Sequence, residues 1–155
     1  MNPALAQSLE KVIAAAPQGR DDWWLIGSAA AHLSGVDLAP ADVDIVAGRE
    51  TIEAFLARLG PAQPKPSENG RFRSIPFCCI PVSGGLDIEV MGDLHVLSSG
   101  VWQPLILTTR VPVETGHGPV FVPTLAEQVA VFELFGRPKD LAKAAMAKAA
   151  MVRGR

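Results

Sequence analysis

Residues 25–48 read LIGSAAAHLSGVDLAPADVDIVAG, and the changes of character along this stretch decide the fold. It starts apolar at Leu25-Ile26, breaks at Gly27-Ser28 and turns alanine-rich. It then presents Asp42 and Asp44 on either side of Val43, followed by more apolar residues. Trp23 to Ile26 predicts a strand, Ser28 to Ser34 a short helix stopped by Gly35, and Val43 to Ala47 a second strand. Side chains alternate along a strand, so Asp42 and Asp44 share one face, roughly 7 Å apart, while Val43 and Ile45 turn to the core. Two carboxylates about 5 Å apart repel by roughly 3 kcal/mol at an effective dielectric near 20. A solvated strand edge tolerates that cost. So does a bound cation, and Mg2+ is the usual one for a carboxylate pair facing a phosphate.

Two features beside the pair bear on that choice. Gly27-Ser28 follows a strand and opens a helix, where free N–H groups and the positive dipole end suit an anion. Gly27 lets a phosphate approach the backbone and Ser28 offers a hydroxyl; alternatively, Ser28 caps its own helix. Further on, GGLDIEVMGD (84–93) places Leu86, Ile88 and Val90 on one strand face and Asp87 and Glu89 on the other. A third carboxylate from this strand can meet the pair, although Glu89 and Asp93 also fit as ordinary solvated residues. Three carboxylates beside a phosphate-cradling helix start are the parts of a two-metal phosphoryl or nucleotidyl transfer site.

The rest of the chain fits around this unit. Asn2 to Ala16 predicts a helix with Pro3 in its first turn. Arg49 to Leu59 predicts another, with Ile52, Phe55, Leu56 and Leu59 on one face. Gly60 to Gly70 is a proline-rich loop. RFRSIPFCCIPV (71–82) and LDIEVMG (86–92) read as strands around a Ser83-Gly84-Gly85 hairpin turn. VWQPLILTT (101–109), RVPVET (110–115) and PVFVP (119–123) follow as strands. Thr124 with Glu127 fits a capping box for a helix from Leu125 to Phe135, and Pro138 opens a last helix to about Met151. Helices, then strands, then helices predict a mixed α+β fold, a central mixed sheet flanked by helices with further helices at the C-terminus. At 155 residues and 48% hydrophobic, one domain over residues 1–155 is expected.

A net charge of −2 gives no strong field for nucleic acid or membrane. No apolar run reaches the roughly 18 residues of a membrane span, and no signal peptide is recognisable, so a cytoplasmic protein is expected. Cys78 and Cys79 are neighbours that point to opposite faces, which disfavours an internal disulfide. His32, His95 and His117 show no metal-ligand spacing. Asp21 and Asp22 read as solvated, and Lys143, Lys148 and Arg153 as a helix surface.

GSAAAHLSGVDLAPADVDIVA (27–47) resembles the signature of the DNA polymerase β-like nucleotidyltransferase superfamily: Gly-Ser, a spacer, then Asp-x-Asp between apolar residues. LDIEV (86–90) resembles its third-carboxylate strand. VFVPTLAEQVAVFELFGRPKDLAK (120–143) is similar to the tail of the small bacterial members, among them antibiotic nucleotidyltransferases and toxin components of toxin–antitoxin pairs. The resemblance runs from about Trp24 to Lys143. It implies that Gly27 and Ser28 hold nucleotide phosphates and that Asp42 and Asp44 bind two Mg2+ ions. By the same resemblance Asp87 completes one metal site and helps deprotonate the attacking hydroxyl, while Arg137 and Lys139 steady the triphosphate or the acceptor. The implied reaction moves a nucleoside monophosphate from an NTP to a hydroxyl on a small molecule, an RNA end or a protein. The short chain leaves room for a second copy or a cognate partner protein to complete the cleft. The sequence departs from the family at two places. The loop before Asp42, VDLAPA (36–41), lacks the usual basic and hydroxyl residues, and Phe132 stands where many relatives have a lysine. Either other cations, such as Arg71 or Arg73, replace them, or the protein is a nucleotide- or partner-binding module that no longer turns over.

Overall fold

A computed structural model describes residues 1–154. Helix α1 (Pro3–Ala15) is capped by Asn2, whose side chain accepts from the backbone of Ala4 and Leu5. Strand β1 (Trp23–Ile26) runs straight into α2 (Gly27–Leu33), and the chain returns as β2 (Asp42–Ala47). After α3 (Arg49–Leu59) come two short pieces, β3 (Gln63–Pro64) and β4 (Phe72–Arg73), then the hairpin of β5 (Phe77–Ile80) and β6 (Asp87–Gly92). A second hairpin, β7 (His95–Ser98) and β8 (Val101–Pro104), joins β4 in a small sheet. A third, β9 (Val111–Glu114) and β10 (Pro119–Val122), leads to α4 (Leu125–Phe135) and α5 (Pro138–Arg153).

The main sheet has the order β1-β2-β6-β5-β3. Only β2 and β6 run parallel; the other neighbours are antiparallel, so the sheet is mixed as the element order predicts. The β1–α2–β2 unit is therefore not a parallel crossover. The seven residues of α2 and the loop to Asp42 turn the chain back, and Ile26 pairs with Asp44.

Alternation sorts the strands into two faces. Leu25, Val43, Ile45, Ile88 and Val90 pack with α1 and α3 residues such as Leu5, Leu9, Ile52 and Phe55. Burying each of these large side chains stabilises the fold by about 1.5–3 kcal/mol. On the other face, Ile26, Val46 and Met91 meet Val131 and Phe135 of α4. The third apolar cluster joins α2 to α4 and α5 through Ala31, Phe132, Ala144 and Ala147. The last two helices thus lie on the sheet face that also carries Asp42, Asp44 and Glu89.

The expected continuous strand over 71–82 is two strands in two sheets, and 101–109 is a strand only to Pro104. The Thr124 capping box is half made. Thr124 accepts from the Glu127 backbone, but the Glu127 carboxylate accepts instead from the backbones and hydroxyls of Thr108 and Thr109, tying that extended segment to α4. Among the described residues no helix is long and apolar enough to cross a membrane.

Candidate active site

The parallel register of β2 and β6 sets Asp42 opposite Asp87 and Asp44 opposite Glu89. One carboxylate oxygen each from Asp42, Asp44 and Glu89 lies within 4.8 Å of the others. Asp87 lies outside this group: it is exposed, and its Oδ2 takes a weak contact from Cys79 Sγ at 3.8 Å. The third carboxylate that the geometry brings to the pair is thus Glu89, one pleat further along the same strand face.

The cluster is held under electrostatic tension. Asp44 Oδ1 is sealed from solvent and has no hydrogen-bond partner. Burial, then the charges of Asp42 and Glu89, push the Asp44 carboxyl well above the usual range, while Lys143 pulls it back. Glu89 is raised too, chiefly by burial and then by Asp42, with Lys65 opposing. An orphaned buried carboxylate oxygen costs about 1–3 kcal/mol or more. A hard divalent cation relieves both the missing contact and the repulsion, and an all-oxygen donor set suits Mg2+. The residues present therefore fit a Mg2+ site.

Gly27 explains how the cluster meets the α2 start. Its φ is +73°, and a Cβ there would sit 2.9 Å from Asp44 Oδ2. A side chain would be both strained and in collision with the carboxylate. Ser28 is buried and does not cap its own helix: the cap is Ile26, with no side-chain hydrogen bond. The capping role open to Ser28 from sequence is therefore not the one it plays.

These residues line a cleft of about 270 Å3. One wall is apolar, with Ile26, Phe72, Phe77, Met91, Phe132 and Phe135. The start of α5 adds Arg137, Lys139, Asp140 and Lys143 to the lining. Arg137 is committed elsewhere. Its Nε donates to Asp140 Oδ2 at 2.6 Å and its Nη2 to Oδ1 at 3.1 Å, and the guanidinium lies 4.9 Å from the Phe72 ring centre. Lys139 and Lys143 have no ion pair among the described residues. Of the two arginines considered as replacements, Arg71 donates to the Phe135 carbonyl and Arg73 stacks over Trp102 at 4.6 Å; neither lines the cleft.

Lys143 escapes a reading as helix surface, yet it lies one turn beyond Lys139, on the same side of α5. That spacing was the available signal. The apolar wall had none, because Phe72, Phe77 and Phe132 come from three separate elements. Asp22, read as solvated, accepts from the Thr51 hydroxyl at 2.6 Å.

No family model matches the chain, and no curated protein matches its sequence. Solved structures do. Over 96% of this chain and 92% of its own, the Thermotoga maritima protein TM1012, provisionally assigned as a nucleotidyltransferase, is similar with a TM-score of 0.70 and 21% identity. ANT(2'')-Ia in complex with adenylyl-2''-tobramycin gives a TM-score of 0.60 at 12% identity, over 94% of this chain and 88% of that one. The solution structure of the antibiotic-resistance factor ANT(2'')-Ia gives 0.57 at 15%, over 94% and 83%. At these identities the likeness establishes the fold: the chain has the nucleotidyltransferase fold, with the mixed central sheet and C-terminal helices expected of it.

Proposed function

We propose that this protein transfers a nucleoside monophosphate from an NTP to a hydroxyl acceptor, with Asp42, Asp44 and Glu89 holding two divalent cations. One observation carries the reading: three carboxylate oxygens within 4.8 Å of one another, one of them belonging to a side chain with a buried, unpartnered oxygen, beside a glycine that leaves no room for a Cβ. A structural carboxylate cluster has no use for that arrangement, which costs stability until something positive enters.

In this reading Gly27 and Ser28 border the phosphates, and Lys139 and Lys143 offset their charge from α5. The apolar wall of Phe72, Phe77 and Phe132 takes the flat base. The acceptor oxygen bonds to the α-phosphorus, the bond to the β-phosphate oxygen breaks, and pyrophosphate leaves. The proton of the acceptor passes to a carboxylate, in this reading Glu89, the third member of the cluster. Bound divalent cations would supply charge stabilisation to the attacking and leaving oxygens. Arg137 serves as a brace for the α5 start, not as a phosphate ligand.

The test is incorporation of label from α-labelled NTPs into acceptors of several classes, with pyrophosphate release measured in parallel. Glu89→Gln is expected to abolish Mg2+-dependent transfer, and Asp87→Asn to retain most of it. The reverse order would return the third position to Asp87. Stabilisation by Mg2+ and NTP with no transfer to any acceptor would leave a nucleotide-binding module in place of an enzyme.

A further inference from the structure

The polar rim of the cleft bears on which nucleotide enters it. Asn69 lines the cleft in the same turn as Phe72, whose carbonyl accepts from the Asn69 backbone N–H at 3.1 Å. In return, Asn69 Oδ1 accepts from the backbone N–H of Phe72 at 2.8 Å and of Arg71 at 3.1 Å. These two bonds occupy both lone pairs of the amide oxygen. They also settle which end of the amide is which, because an NH2 group cannot accept from two N–H donors. The end left for a ligand is therefore Nδ2, with two N–H groups and no partner among the described residues.

The groups around the apolar wall have the same sense. Arg137, with its guanidinium 4.9 Å from the Phe72 ring centre, offers only donors, and its Nη1 has no partner among the described residues. The acceptors here are already engaged. Asp140 takes Arg137 with both oxygens, the Phe77 carbonyl accepts from the Lys65 backbone, and the Phe135 carbonyl accepts from Arg71 Nη1. The hydroxyls of Ser67 and Ser74 serve either sense and do not discriminate. Bases differ most plainly at C6 of a purine and C4 of a pyrimidine, where guanine and uracil carry a carbonyl and adenine and cytosine an amino group. The bidentate reading of adenine by asparagine needs the amide oxygen as well as the nitrogen, and here the oxygen is taken. An amino group against this rim sets donor against donor, whereas a carbonyl accepts from Asn69 Nδ2.

We propose that the cleft selects nucleotides with a keto base, guanine or uracil, over those with adenine or cytosine, and that Asn69 reads the carbonyl. The assignment rests on the transfer reading, which sets the base against the apolar wall.

The test is calorimetric binding of GTP, UTP, ATP and CTP to the full chain in Mg2+, with inosine triphosphate as the purine that keeps the carbonyl and lacks the 2-amino group. GTP, UTP and inosine triphosphate are expected to bind about tenfold or more tightly than ATP and CTP. Asn69→Asp keeps an oxygen for the two backbone N–H groups and puts an acceptor where Nδ2 stands, so it is expected to reverse the order. Its added charge weakens every triphosphate alike, and the ratios between bases carry the result. Equal binding of the four nucleotides by the parent, or a preference for ATP and CTP, overturns the proposal and leaves the transfer reading in place. So does a preference for keto bases that Asn69→Asp leaves unchanged, which removes Asn69 as the reader. Absence of binding by every nucleotide overturns the transfer reading and this proposal together.

Discussion

Replacing Asp44 by asparagine should make the metal-free protein more stable, and more so as the pH rises. At 4.8 Å and an effective dielectric near 20, each ionised pair in the cluster costs about 3 kcal/mol. The native protein escapes part of this by keeping a proton on Asp44, whose carboxyl is raised far above 3.8 by burial and by Asp42 and Glu89. Between 3.8 and the raised value, the folded state holds a proton that the unfolded chain has released. Stability therefore falls with rising pH over that window. At pH 5 holding the proton costs at most about 1.6 kcal/mol, from about 1.36 kcal/mol per unit. At pH 8 the cost is at least that of one such repulsion, about 3 kcal/mol, and burial of the charge adds to it. Asp44→Asn removes the charge and most of this cost. Melting in EDTA should then rise by roughly 6–12 °C at pH 8, and by about half of that at most at pH 5. Mg2+ at 100 times its Kd should stabilise the parent by about 2.7 kcal/mol and the variant hardly at all. A variant less stable than the parent in EDTA at pH 8, or one that keeps the parent's Mg2+ shift, would refute the reasoning.

Gly27→Ala combines a left-handed φ with a 2.9 Å contact to Asp44 Oδ2, so a loss of about 1–3 kcal/mol in urea melts and a reduced Mg2+ response are expected. Arg137→Ala strands the buried Asp140 carboxylate and should cost about 3 kcal/mol by the same measurement, with Arg137→Lys recovering only part because the bidentate geometry is lost. Glu127 titrates in the opposite sense to Asp44. Burial raises its carboxyl, but the hydrogen bonds from Thr109 and Thr108 outweigh this and leave it below 4.5. Its contribution is present above 4.5 and disappears as the pH falls through the lowered value, so Glu127→Gln should flatten that acid limb in urea melts between pH 3 and 5.

Much of the fold was legible because local chemistry and tertiary need agree. Arg49–Leu59 and Leu125–Phe135 begin and end where periodicity and caps place them. Strand β7 was not recognised, although Leu94 and Val96 are both buried on one face. Its clearest signal is Ser99-Gly100, both at positive φ, which closes the β7–β8 hairpin; serine at such a position is uncommon and easily passed over. The split of residues 71–82 follows from pairing. Phe72 and Arg73 bond to β7, while Phe77 to Ile80 bond to β6, and no local pattern within an apolar run records which partner each half takes.

The site was legible to the same depth. Alternation alone puts Asp42 with Asp44 and Asp87 with Glu89, but it leaves the meeting of the two strands open. The parallel register supplies the missing relation, and Glu89, one pleat on from Asp87, is the carboxylate that it brings to the pair. The cations differ for another reason. Arginine at 137 reads as a phosphate ligand, and in the structure Asp140, three residues on, folds back on it in a bidentate pair that already matches much of its charge. Lysines at 139 and 143 have no such tie and remain available. Free charge in this cleft is therefore set by which cations the fold has not already paired, and composition near the motif could not reveal that.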